Sequence, residues 1–281
     1  MVPAAQAMIP LASVERACER LGRRLQSLSP EGCLQAGFGA PQGASRQGFP
    51  LLARDYAPRS RREIPPRVLL IGGIHGDELS SVSVVFQWMR KLETERVQPF
   101  HWRVIPCANP DGLLARPATR TNGAGVDLNR NFPSANWTAE ALDYWQRRTG
   151  SDPRRYPGPG PLSEPESRWL MQQIEQFQPD AIVSVHAPYG LLDFDGPLAP
   201  PERFGFLRLH PLGTYPGSLG NFAGLNRQIP VITLELPHAG LMPTASQSLR
   251  IWIDMLAWLE QRLPREEPPL YLRLRDSAWL D

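Results

Sequence analysis

Lysine is all but missing. Lys91 is the only one among 30 basic residues, the others being arginine, a skew that reads as codon bias. Net charge is also small, +2 over 281 residues, which excludes a global electrostatic grip on nucleic acid. Cysteine is scarce. Cys18, Cys33 and Cys107 include no CxxC pair, and the odd, sparse count argues against a disulfide scaffold and against a cysteine zinc site. No apolar run reaches the length of a membrane-spanning helix. The N-terminal MVPAAQAMIPLASVERACER lacks a basic stretch ahead of a long apolar one, so it does not read as a signal peptide. A cytoplasmic protein, not bound to membranes, is the expectation.

What is abundant is proline, 31 residues, roughly twice the usual share of about 5%. The prolines follow no repeat, so they mark rigid turns and not a fibrous design. With 42% hydrophobic residues the chain can bury a sizeable core. Helices are expected over 13–28, with Ser13 as a candidate cap, over 79–92, near 138–148, over 163–177 and over 246–263. Ser163 and Glu166 have the spacing of a capping box. Strands are expected at 49–56, 67–72, 102–107, 181–185 and 231–236. Arg61, Arg62 and the prolines after them mark a turn, and the stretch from 186 to about 217 reads as irregular. Strands alternate with helices and no linker divides the chain, so 1–281 reads as one α/β domain with a mixed central sheet flanked by helices, ending in a tail over 264–281 that packs on the surface.

Two of the five histidines follow apolar runs directly: His75 in LLIGGIHGDE and His186 in AIVSVHAP. In open α/β sheets, ligands gather at the carboxyl ends of strands. Glu78 stands three residues after His75, so a turn can aim both side chains at one ion. A lone HxxE is a weak signal. With His186 it becomes two histidines and one carboxylate with a fourth position open, the composition of a catalytic zinc site. Glu235 lies in VITLELP, an apolar strand where an unpaired carboxylate is costly to bury. It is either a solvated strand-end residue or a general base beside the metal, which lowers the pKa of a bound water to about 7. In NPDGLLARPATRTNGAGVDLNRNF, the planar fork of Arg130 suits a carboxylate, Asn129 can donate to the same group, and Arg120 can stabilise an oxyanion. His101 and His210 read as packing or surface residues, His238 as a weak candidate for the cleft, and Trp252 and Trp258 as core.

GGIHGDE, NPDG, RTNGAGVDLNRNF, PLSEPE, VSVHAP and TLEL stand in one order and spacing. Together they resemble the zinc carboxypeptidase family, over about 45–263. The resemblance implies one zinc ion on His75, Glu78 and His186. It implies Glu235 as general base and proton donor, Arg120 as the group polarising the scissile carbonyl, and Asn129 and Arg130 as the grip on a terminal carboxylate. Tyr215 is its candidate for the tyrosine over the pocket. The family's specificity position falls in Gly217 to Phe222, nearest Gly220 and Asn221, where no acidic determinant stands. Asp193 and Asp195 in YGLLDFDG either cap turns or receive an amino group of the substrate. GGIHGDE, HAP and PGSLG point to a bacterial branch whose substrate is the free murein tripeptide, cut between γ-D-glutamate and diaminopimelate in cell-wall recycling. A general carboxypeptidase, a deacylase of the succinylglutamate desuccinylase or aspartoacylase type, and a non-catalytic binding protein on the same scaffold are the rivals.

Overall fold

A computed structural model describes residues 12–60, 64–135 and 137–263. The tail 264–281 and the arginines at 61–62 lie outside the described residues. In chain order the elements are α1 (Ala12–Arg24), α2 (Pro30–Leu34), β1 (Arg54–Tyr56), β2 (Arg67–Gly72), α3 (Leu79–Thr94), β3 (His101–Ile105), α4 (Pro110–Leu114), α5 (Trp137–Thr149), α6 (Pro165–Phe177), β4 (Ala181–His186), β5 (Leu191–Asp195), β6 (Arg203–Phe204), β7 (Leu207–Leu209), β8 (Val231–Glu235) and α7 (Ala245–Arg262).

The strands form one sheet in the order β1-β3-β2-β4-β8-β5-β7-β6. Its centre, β3-β2-β4-β8, is parallel; β1 and β5 pair antiparallel on its two sides. Parallel strands are covered on both faces, which is why RVLLIG and AIVSVH are near-continuous apolar runs. One face packs under α1, α3 and α7, with Trp252 lying between Trp88 and Trp102 at ring distances of 5.2 and 5.3 Å. The other packs under α6 and a π-helical segment, Gly220–Asn226, through Leu69, Ile71, Ile182, Val231 and Phe222. The mixed α/β sheet expected from the sequence is present.

Several local expectations are corrected. Only the last three residues of 49–56 join the sheet. The helix expected over 13–28 stops at Arg24, and Ser13 lies inside it. Ser163 and Glu166 form no capping box: Pro165 sets the first turn of α6, Glu164 occupies the cap position without a side-chain cap, and Glu166 instead accepts from Arg46 N and Asn122 Nδ2. The box occurs at α7, where Thr244 and Gln247 satisfy each other's backbone. The stretch read as irregular after 186 holds β5, β6 and β7. Cys18 and Cys33 are joined as a disulfide that staples α1 to α2, and Cys107 is a buried free thiol.

Candidate metal centre and active site

Three parallel strands deliver the site at their carboxyl ends. After β2 the chain turns at Gly73, φ +61°, and presents His75. Gly76 then approaches the backbone at Gly112 so closely that any β-carbon would collide with it, which locks GGIHGDE against NPDG. Glu78 holds the cap position of α3 but makes no cap hydrogen bond, because its carboxylate is turned into the site. His186 ends β4 and Glu235 ends β8, and the two are register partners.

The ligand atoms converge. His75 Nδ1 lies 2.8 Å from Glu78 Oε1, His186 Nδ1 lies 3.2 Å from Glu78 Oε2, and the two Nδ1 atoms are 3.1 Å apart. The far nitrogens are held from behind: His75 Nε2 by Asp127 Oδ1 at 3.2 Å and His186 Nε2 by Ser184 Oγ at 2.9 Å. Assigning the ring protons to Nε2 on those partners leaves two Nδ1 lone pairs and a carboxylate facing one point. Lone pairs do not satisfy one another; a cation does. Outer partners that fix the tautomer are also what metal-binding histidines carry. The residues therefore fit a zinc ion, and all three are buried.

The electrostatics agree. Burial alone would raise the pKa of Glu78, but His75 and His186 outweigh it and hold the carboxyl well below its ordinary range. Asp127 is likewise lowered: burial opposes ionisation, and Arg120 and His75 overcome it. Glu235 goes the other way. Burial raises its pKa, the Glu78 charge adds to that, and His186 and His75 only partly offset them. Its Oε2 is buried with no hydrogen-bond partner.

Beside the ligands lies a cavity of about 170 Å³. Arg120 lines it, with Nε donating to Asp127 Oδ2 at 2.9 Å. Asn129 lines it too, its Oδ1 engaged by Leu219 N at 2.8 Å, which leaves the amide nitrogen to donate. Arg130 is buried against Tyr215, its Cζ 4.4 Å from the ring centre, and Tyr215 Oη donates to Leu212 O at 3.1 Å. His75, His186 and Glu235 complete the wall, so the cavity collects all the expected site residues except Glu78, which lies behind the histidines. Gly220 lines the cavity and Asn221 does not; the latter's backbone N–H is tied to Ser218 Oγ. His238 is exposed and closes a turn through Gly240 N and Leu241 N, outside the cavity. His101 packs edge-on against Phe177.

Sequence reasoning missed Asp127, Ser184 and Thr233. Asp127 stands in the quoted DLNRNF motif, and Ser184 and Thr233 lie two residues before His186 and Glu235, where strand alternation returns to the same face.

A mixed α/β sheet carrying a His-Glu-His centre at its carboxyl edge, next to a buried glutamate with one unpartnered oxygen, defines a metallohydrolase. The chain belongs to the zinc carboxypeptidase family, whose model matches residues 41–192. Murein peptide amidase A of Escherichia coli is 35% identical over 230 residues, covering 78% of this chain and 91% of that protein. Its counterpart from Vibrio campbellii is 33% identical over 221 residues, 76% of this chain and 85% of that protein. A crystal structure of an Escherichia coli murein-tripeptide amidase aligns with a TM-score of 0.54 at 29% identity, over 80% of this chain and 91% of that one. The chain is thus a zinc-dependent hydrolase by family.

Proposed function

We propose that this chain, acting as one domain, hydrolyses the amide between γ-D-glutamate and meso-diaminopimelate in free murein tripeptide, with a single zinc ion held by His75, Glu78 and His186. The observation that carries the reading is the cavity itself. It places the unpaired Oε2 of Glu235 beside the ligand histidines and within the same walls as Arg120, Asn129 and Arg130. The relatives that match most of the chain supply the substrate.

Zinc would contribute Lewis acidity at the scissile carbonyl and acidify water. The protein's own residues do the rest. Glu235 takes the proton of the attacking water at Oε2, a role suited to a carboxyl whose pKa burial has raised above its ordinary value. It then delivers that proton to the leaving amine nitrogen as the C–N bond breaks. Arg120 donates to the carbonyl oxygen as charge develops there, oriented by Asp127. Arg130 and Asn129 hold the leaving residue's free carboxylate, and Tyr215 keeps the guanidinium in place by stacking.

The test is mass-spectrometric product analysis of the zinc-loaded protein given L-Ala-γ-D-Glu-meso-diaminopimelate. The expected result is free diaminopimelate, abolished by a chelator and restored by zinc. An intact tripeptide with zinc bound overturns the reading and turns attention to ordinary peptides and N-acyl amino acids. No helix among the described residues is long and apolar enough to cross a membrane. Acting on recycled tripeptide supports a cytoplasmic location. The Cys18–Cys33 disulfide, a bond typical of oxidising compartments, argues the opposite, and cell fractionation decides between them.

A further inference from the structure

The face of the sheet that carries the catalytic row continues as a ladder of paired residues. His186, Glu235 and Leu191 form the first row, Ser184, Thr233 and Asp193 the second, and Ile182, Val231 and Asp195 the third. Every polar residue of these rows lines the one cavity. At roughly 3.3 Å per strand residue, the second and third rows lie about 7 and about 13 Å beyond the first.

The two aspartates are served unequally by the protein. Asp193 is buried, accepts from Leu212 N at 3.1 Å and from the Phe194 backbone, and has His186 and His210 as favourable electrostatic neighbours. Among the described residues Asp195 has no hydrogen bond and no ion pair, and its one charged neighbour is Asp193, a like charge. Its carboxylate is admitted by the missing side chain of Gly220, where a β-carbon would collide with it. In the same cavity the buried Oε2 of Glu235 is also without a partner. Arg120, Asn129, Arg130 and Arg155 line the same cavity. The cavity therefore offers both donors for a carboxylate and a pair of carboxylates, one of which, Asp195, has no hydrogen bond or ion pair among the described residues.

We infer that Asp193 and Asp195 form a receptor for an ammonium group on the side chain of the leaving residue, so that the enzyme selects diamino acids. The inference rests on the proposed role of this cavity in binding substrate. A side chain of three or four methylenes carries an amine roughly 7 Å from the scissile nitrogen, the depth of the Asp193 row, with Asp195 one row further along the same face. A neutral side chain of equal length fills the same space but leaves the Asp195 carboxylate without a partner, the arrangement that gives sites built for a polar group their discrimination.

The experiment compares the zinc-loaded wild type with Asp193→Asn and Asp195→Asn on two substrates, L-Ala-γ-D-Glu-meso-diaminopimelate and the same peptide ending in L-norleucine. Binding of free meso-diaminopimelate and free norleucine is measured in parallel by calorimetry. The wild type is expected to favour the diamino substrate in kcat/KM. Each variant, shown by its melting curve to be folded, is expected to lose that ratio by about 10- to 100-fold, mostly through KM. An unchanged ratio in folded variants, or a wild type without preference, overturns the receptor and leaves the proposed reaction standing. If the tripeptide is not cleaved yet free diaminopimelate binds more tightly than norleucine in an Asp195-dependent way, the reaction fails and the receptor stands. Equal binding of the two amino acids in that case overturns both.

Discussion

Asp127 touches two working groups at once: Oδ1 lies 3.2 Å from His75 Nε2, and Oδ2 accepts from Arg120 Nε at 2.9 Å. One fully buried carboxylate thus sets the ring orientation of a proposed metal ligand and the aim of the guanidinium proposed to meet the scissile carbonyl. Its own place is fixed at the start of a single 3₁₀ turn, Leu128–Arg130, where Oδ1 also accepts from Asn129 N.

Asp127→Asn puts an amide N–H where one of these two donors needs an oxygen. Losing the outer partner of a ligating histidine typically weakens metal binding by about 10- to 100-fold. Competition with a fluorescent zinc chelator measures this directly, without reference to turnover. An unchanged zinc affinity removes Asp127 from the metal centre.

Glu235→Gln separates metal binding from proton transfer. The side chain keeps its size at the end of β8, and none of the three ligands is altered, so zinc content should stay stoichiometric. Turnover of the tripeptide should fall by about 10²- to 10⁴-fold, the usual contribution of a positioned base. Near-normal turnover would take Glu235 out of the reaction.

The parallel centre of the fold was legible because its strands are buried on both faces and so spell themselves as apolar runs. The two proposed metal-binding histidines were legible because they stand at or just after those runs. The antiparallel half was not. In β5 the alternation LLDFD turns Asp193 and Asp195 towards the cavity, which makes a strand look like a polar loop. β6 and β7 are two and three residues long, too short to show a period. At α6 the Ser163 and Glu166 pattern was present in the sequence, but tertiary partners claimed both side chains: Ser163 Oγ donates to Glu164 and accepts from Asn131, while Glu166 receives Arg46 N and Asn122. The disulfide depends on α1 and α2 bringing two α-carbons to 5.3 Å, which the spacing of the cysteines alone does not state.

That disulfide closes a loop with a sequence separation of 15 residues. Cross-links of this length are worth about 3 kcal/mol by restricting the unfolded chain. The double variant Cys18→Ser/Cys33→Ser should lose stability on that scale in urea while keeping its kcat, since neither residue touches the cavity. The midpoint of denaturation checks it. A stability unaffected by reductant in the wild type would show that the bond contributes nothing.

Asp195 links specificity to stability. Burial and then the neighbouring Asp193 charge push its pKa up to about 6, against about 3.9 in an unfolded chain. A carboxyl raised on folding holds its proton more tightly in the native state, so the penalty is absent below the unfolded value, grows as pH rises, and is complete above about 6. Asp195→Asn removes the charge and with it the penalty. The melting temperature should rise by about 2–4 °C at pH 7.5, an increment kept small because the cavity is open to solvent, and should hardly move at pH 4. Free meso-diaminopimelate should narrow the gap at pH 7.5 by supplying the ammonium that the protein lacks. A variant destabilised equally at both pH values would mean that Asp195 packs the cavity wall and is not held there at a cost for a ligand.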